Sequence, residues 1–193
     1  MSSIILASES FLKKFIFDKA KLPYETAPAH IDESIFDELP VGERVAKLAE
    51  YKARKIAETH QEATIISADT LTADGDGNVY NKLSHGEDPF TAAMSLSGKT
   101  IDIYTGCCVY NTSTGYNTAL VTSSITYGKF SEQTLKRLIE GDNATIRSGA
   151  LGIFYDSPGF TLIERIDGSY TGSFGLPMEF VYEQLDRIEQ TQT

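Results

Sequence analysis

Two apolar runs, Ser3-Ile4-Ile5-Leu6-Ala7 and Thr64-Ile65-Ile66-Ser67-Ala68, limit most tightly what this chain can fold into. Neither alternates polar with apolar residues, so each predicts a strand buried on both faces. Helical patterns stand between and around them. Ser10 is placed to cap a helix with Phe11, Leu12, Phe15, Ile16 and Ala20 at helical spacing, ended by Leu22-Pro23. Tyr24 to Ala27 reads as a short strand and 28–33 as a polar connection. Pro40 opens a second helix to about Glu58, with Val45, Leu48, Ala49 and Ile56 on one face.

Further along, Asp74-Gly75-Asp76-Gly77-Asn78 has the start of a calcium loop, but the glycine after Asn78 and the closing glutamate are missing, which leaves a hairpin turn. Asp88-Pro89 caps a short helix that stops at Gly98. The segments Thr100 to Tyr110 and Tyr116 to Tyr127, joined by 111–115, predict a long β-hairpin. Ser131 caps a helix ending at Gly141, Phe160 to Ile166 reads as a strand, and Asp167-Gly168 as a turn. Pro177 starts a last helix with Met178, Val181, Leu185 and Ile188 inward. Strands interleaved with helices, plus an antiparallel hairpin, indicate an α/β fold with a mixed sheet, and 193 residues fit one domain or two lobes sharing a core.

The chain carries 27 acidic and 17 basic residues, a formal net charge of −10. That balance argues against nucleic acid as a partner, because broad phosphate neutralisation needs a basic face. It leaves a small anionic ligand in a local pocket open. The apolar run at Ile4 to Ala7 is too short for a signal segment or a membrane span, so a soluble, cytoplasmic chain with no membrane association is expected. The two cysteines, Cys107 and Cys108, are adjacent and offer neither a staple nor a zinc spacing, so burial in a strand is expected. His30, His60 and His85 stand alone, which disfavours a zinc enzyme.

Three features point toward chemistry. Lys52 falls seven residues after Val45 and so belongs to the apolar stripe of the second helix, where a lysine either snorkels at a rim or points into a ligand cleft. Asp69-Thr70 directly follows a core strand; the carboxylate either caps a turn or sits where ligands collect in α/β folds. Ser8-Glu9-Ser10 leads from a strand into a helix carrying Lys13 and Lys14 in its first turn. Helix-end amides, two hydroxyls and two ammonium groups form a plausible phosphate cradle, although a plain capped helix has the same pattern. Neither a Walker A loop nor a G-x-G-x-x-G is present.

The segments Ile5-Leu6-Ala7-Ser8-Glu9-Ser10, Ile31-Asp32-Glu33, Leu48-Ala49-Glu50-Tyr51-Lys52-Ala53, Ala68-Asp69-Thr70, Asn81-Lys82, Leu96-Ser97-Gly98, Tyr104-Thr105-Gly106, and Gly168-Ser169-Tyr170 with Gly175-Leu176-Pro177 recur in the order and spacing of the Maf family. The chain resembles that family over nearly its whole length. The resemblance implies a single Maf-like domain over 1–193, built as a mixed β-sheet with flanking helices and two lobes around a central cleft, an architecture similar to inosine triphosphatases. It implies a nucleoside triphosphate pyrophosphatase that releases a nucleoside monophosphate and pyrophosphate, with Mg²⁺ or Mn²⁺ as cofactor. Asp69 would be the proton acceptor, Glu33 and Asp69 the metal ligands, Lys52 and Lys82 the catalytic cations. Ser8, Ser10, Lys13, Lys14 and Thr70 would bind substrate. Family members often form homodimers, and the long hairpin offers an edge that either pairs in this way or is covered within the monomer.

This chain departs from the family pattern in places. The family's S-x-S-P-R-R or S-x-S-P-W-R-R becomes Ser8-Glu9-Ser10-Phe11-Leu12-Lys13-Lys14, which keeps the charge without the bidentate guanidinium fork. The usual lysine-proline is Lys82-Leu83. The glutamine of the branch preferring dTTP and UTP is replaced by Phe154 or thereabouts, and Glu164-Arg165-Ile166 resembles the branch preferring 7-methyl-GTP, whereas Ala68-Asp69-Thr70 and Gly168-Ser169-Tyr170 resemble the other. The base therefore stays open at this level. So does a function of another class, a nucleotide-binding regulator of cell division or septum formation with little turnover, although retention of Glu33, Lys52, Asp69 and Lys82 together favours the enzyme.

Overall fold

A computed structural model describes residues 3–75, 79–80, 88–141 and 158–191. These divide into two compact units, the first Met1–Thr70, Tyr104–Val121 and Thr171–Thr193, the second Leu71–Ile103 and Thr122–Tyr170.

The first unit is built on both apolar runs. Strand β1 (Ile4–Leu6) pairs in parallel with β2 (Glu25–Thr26) and, on its other side, with β3 (Thr64–Asp74), in the register Ile4↔Thr64 to Leu6↔Ile66. Strands β5 (Thr100–Asn111) and β6 (Gly115–Tyr127) continue the order β2-β1-β3-β5-β6. The expected hairpin between them closes on Asn111, whose carbonyl accepts from the Thr114 N–H and whose side chain accepts from the Ser113 N–H. The parallel pairs demand crossovers, and helices α1 (Phe11–Ala20) and α2 (Val41–Ala57) supply them.

Alternation along the strands sorts two cores onto opposite faces of the sheet. Ile4, Leu6, Ile66, Ala68, Cys107 and Val109 pack with Ile16 and Phe17 of α1 and with Met178, Val181 and Ile188 of α5 (Met178–Thr191). Ile5, Ala7, Ile65 and Cys108 pack instead with Ala49, Ala53, Ile56 and Ala57 of α2. Helices thus cover both faces, as the uninterrupted apolar runs require.

Two contacts fix α2 on its face. Gly106 of β5 lies so close that a Cβ there would fall 2.5 Å from the Ala46 backbone nitrogen and nearer still to the Val45 carbonyl. Ser67 of β3, fully buried, donates to the Ala49 carbonyl at 2.5 Å.

Helix α1 differs from expectation. Phe11 is 70% exposed, and the buried stripe is Lys13, Ile16 and Phe17. The i, i+3, i+4 geometry holds, but it begins on a lysine and ends on a phenylalanine that the spacing argument omitted. Ser10 occupies the cap position without a capping side-chain bond. The helix ends at Lys21 in the left-handed conformation, φ 55°.

In the second unit, β4 (Val79–Tyr80) pairs antiparallel with β3 through Thr72↔Tyr80, in keeping with the expected hairpin turn, and β7 (Ile163–Asp167) pairs antiparallel with β6 through Ser124↔Asp167. The sheet is mixed. Residues 160–162, expected in a strand, belong to a 3₁₀ turn (Pro158–Leu162) instead. Helix α3 (Pro89–Met94) is capped by the Asp88 carboxylate, which accepts from the Phe90 and Thr91 amides, and Ser131 caps α4 (Glu132–Gly141) through the Thr134 amide. Ser97 clamps the chain by donating to the Phe130 carbonyl and accepting from the Phe130 N–H. Among the described residues no helix is long and apolar enough to cross a membrane.

Candidate active site

The connection β1-α1-β2 runs to one side of β1 and the connection β2-α2-β3 returns past it to the other side, with α1 and α2 on opposite faces of the sheet. Such a reversal opens a crevice outside the carboxyl ends of the two central strands, where ligands bind in open α/β sheets. Here those strands are β1 and β3. The Ala7 N–H makes its bond to the Ile66 carbonyl, after which β1 has ended while β3 continues to Asp74, so Asp69 and Thr70 lie within the strand rather than in the expected position after it. Ser8 and Ser10 lie at this point, and the Ser8 hydroxyl accepts the Ser10 N–H at 3.1 Å, turning the chain into α1.

Asp69 and Thr70 point to opposite faces because they are consecutive in a strand. On the α2 face, Lys52 Nζ lies 2.6 Å from Asp69 Oδ1 and 2.6 Å from Glu33 Oε1. The Lys52 side chain is only 13% exposed and that of Asp69 12%. Burial opposes the ammonium charge, but Asp69 and Glu33 outweigh it and hold Lys52 above its ordinary value. Lys52 thus stays largely buried within the stripe of α2, with its charge balanced by two carboxylates.

Local structure explains how these three meet. The Ser67 bond to the Ala49 carbonyl sets the height of α2 on β3; Lys52 lies one turn beyond Ala49, and Asp69 two residues beyond Ser67 on the same face. Glu33 begins a 3₁₀ turn (Glu33–Phe36) whose start is fixed by Asp32, accepting from the Ser34 amide at 3.0 Å. The Ser34 hydroxyl, which also donates to Asp32, and then the Ser34 amide lower the Asp32 pKa. Phe36 packs edge-on against Tyr51 of α2, ring centroids 6.0 Å apart, and Ile31 packs into the core on that side. Glu33, itself exposed, is delivered to Lys52 by its neighbours.

On the other face, Lys13 is 9% exposed, and its Nζ lies beside the Cα of Gly175 together with Thr70 Oγ1. A Cβ at Gly175 would be 2.9 Å from Thr70 Oγ1 and 3.3 Å from Lys13 Nζ, and its φ of +94° already favours glycine. Thr70 Oγ1 is 3.2 Å from Thr105 Oγ1, which donates to the Gly172 carbonyl at 2.9 Å. Lys14, half-buried, follows Lys13 about 100° further around α1.

The structure therefore brings Glu33, Lys52 and Asp69 into one ion triad, and Lys13 and Thr70 into a second group across the strand. Lys82 and the segment 148–154 lie outside the described residues. Sequence reasoning gave no role to Thr105, Gly106 or Gly175, which support the two groups; the quoted segments Tyr104-Thr105-Gly106 and Gly175-Leu176-Pro177 carried that signal. Cys107 and Cys108 are buried, as expected.

Known proteins are similar to this chain along most of its length. A dTTP/UTP pyrophosphatase of Clostridium perfringens (strain SM101 / Type A) is 31% identical over 193 residues, 97% of this chain and 98% of that protein. Another from Syntrophomonas wolfei is 32% identical over 188 residues, covering 94% and 95%. A crystal structure of a nucleoside-triphosphatase / dITP/XTP pyrophosphatase from Mycobacterium abscessus overlaps 66% of this chain and 75% of its own at 14% identity and a TM-score of 0.38, too little to carry an argument. The model of the Maf-like proteins matches residues 3–188, which takes in both groups on β3 just beyond the end of β1, and the chain belongs to the Maf family.

Proposed function

We infer that this chain hydrolyses a nucleoside triphosphate to the monophosphate and pyrophosphate, with dTTP and UTP as its preferred substrates. Family membership and the similarity to dTTP/UTP pyrophosphatases support the reaction class. The observation that carries it is the Glu33-Lys52-Asp69 triad at the reversal between β1 and β3. A structural ion pair does not require two carboxylates to converge on one largely buried lysine just beyond the end of β1.

The residues divide the work by charge. A triphosphate brings three to four negative charges, so attack on its α-phosphorus needs cations around the phosphates first. Lys13 and Lys14, with the Ser8 and Ser10 hydroxyls and the start of α1, bind phosphate oxygens on one side of β3. Lys52 does so on the other, and Lys82 is proposed to join it. Asp69 takes the proton of the attacking water, and Thr70 orients the phosphate next to it.

The donor set fits a divalent cation of the magnesium type. Asp69 Oδ1 and Glu33 Oε1 already converge on one cationic position, and such ions are commonly held by one or two carboxylates plus substrate phosphates. Among the described residues no group of three or more His, Cys, Asp or Glu forms a dedicated metal cage. When bound, Mg²⁺ or Mn²⁺ would neutralise phosphate charge and polarise the reacting centre. Such a reaction suits the removal of unwanted free nucleotides before they enter nucleic acid, the role proposed here.

A panel of canonical and modified nucleotides, incubated with Mg²⁺ or Mn²⁺ and resolved into products, tests this reading. The expected outcome is monophosphate plus pyrophosphate, fastest with dTTP and UTP and stopped by a chelator. Metal-dependent binding without turnover across the panel would replace the enzyme with a nucleotide-sensing regulator.

A further inference from the structure

We propose that Lys52 is a placeholder cation: without nucleotide its ammonium fills the position between Glu33 and Asp69 that a divalent ion would take, so the metal is admitted only as phosphate draws the lysine away. The inference rests on the pyrophosphatase reading for the assignment of Glu33 and Asp69 as metal ligands.

The geometry is that of a closed site. One Nζ contacts both carboxylates at 2.6 Å, so the oxygens that face each other are already satisfied by a positive charge. The triad carries a net charge of −1 with Lys52 in place and −2 with Lys52 withdrawn, and the second value is what a divalent cation needs. An ammonium and a divalent ion between the same oxygens would repel at close range.

The parts are carried differently, as such an exchange requires. Asp69 is fixed on β3 and Glu33 is carried by a 3₁₀ turn held at both ends, whereas Lys52 has a flexible four-carbon stem. A phosphate in the crevice offers the lysine a new anionic partner, and swinging toward it frees the carboxylates. Metal and nucleotide then bind cooperatively, and a stray cation in the absence of substrate is excluded.

The test measures Mn²⁺ binding to the nucleotide-free full chain by the loss of the free-ion electron paramagnetic resonance signal. Lys52→Met, which keeps the apolar stem, is expected to tighten Mn²⁺ binding at least ~10-fold over the unaltered chain, because a competing charge is gone. The gain should vanish in Lys52→Met with Asp69→Asn. Equal or weaker Mn²⁺ binding by Lys52→Met, or a gain that survives the second substitution, overturns the proposal. Lys52→Gln carries the same expectations should the methionine variant fail to fold. The readout needs no turnover, so a failed exchange leaves the hydrolysis reading standing, and absent hydrolysis leaves this comparison intact.

Discussion

Replacing Gly106 by alanine tests the claim that α2 is seated on β5 by close backbone approach, and that the seating places Lys52. A Cβ at Gly106 would lie 2.5 Å from the Ala46 nitrogen and closer to the Val45 carbonyl, whereas ordinary contact begins at 3.4 Å. Every one of those atoms is backbone, so no side chain can swing aside; the helix must retreat by about 1 Å. Overpacking of this kind costs about 1–3 kcal/mol, and a clash with backbone belongs at the upper end. Alanine regains about 0.4–1 kcal/mol by restricting the unfolded chain, leaving a net loss near 2 kcal/mol. For a chain of this size that lowers Tm by about 4–8 °C.

The effect on turnover should be larger than the loss of stability suggests. Lys52 lies two turns after Val45 on the helix that moves, and a misplacement of about 1 Å can cost on the order of 100-fold in rate. Thermal melts and kcat measured below the melting range would separate the two effects. A Gly106→Ala protein with unchanged Tm and full kcat would refute the account of how α2 is positioned.

Three further outcomes follow from other contacts. Ser67→Ala removes the buried hydroxyl bond to the Ala49 carbonyl and should cost about 0.5–1.5 kcal/mol in urea unfolding while also lowering kcat. Cys107 and Cys108 are buried in β5 and burial raises both thiols, Cys108 to about 11, so neither should react with a thiol reagent at pH 8 until the chain unfolds. Lys52 is held above its ordinary 10.5, so the stability it contributes is fully present below pH 10.5 and is lost as pH rises through its higher folded value. Denaturant titrations across that alkaline range should show a decline that Lys52→Met flattens.

The uninterrupted apolar runs announced strands covered on both faces, and hence the α/β class, because a two-sided core leaves no polar positions to alternate. Helix α1 shows where such reasoning stops. Its buried stripe includes Lys13, and periodicity counts a lysine against the inward face unless a partner for its charge is known. Lys52 posed the same puzzle, and its answer lay in Glu33 and Asp69, 19 and 17 residues distant in the chain, whose approach depends on crossover geometry.

The short segments shared with the Maf family also divide into two kinds. Ile31-Asp32-Glu33 and Ala68-Asp69-Thr70 deliver charge to the site. Leu96-Ser97-Gly98 and Gly168-Ser169-Tyr170 hold backbone: Ser97 clamps Phe130, and a Cβ at Gly168 would meet the Thr122 carbonyl at 2.8 Å. Nothing in a motif's spelling separates a residue that touches substrate from one that lets two chains approach.

The central claim is hydrolysis between the α- and β-phosphates by a site in which Asp69 accepts the proton. Phosphorus magnetic resonance of dTTP incubated with the protein and Mg²⁺ tests it most directly. The account predicts dTMP and pyrophosphate in equal amounts, with the rate lowered at least ~100-fold in Asp69→Asn, since removal of a positioned base typically costs that much. Orthophosphate as the first product, or an undiminished rate in Asp69→Asn, would contradict it.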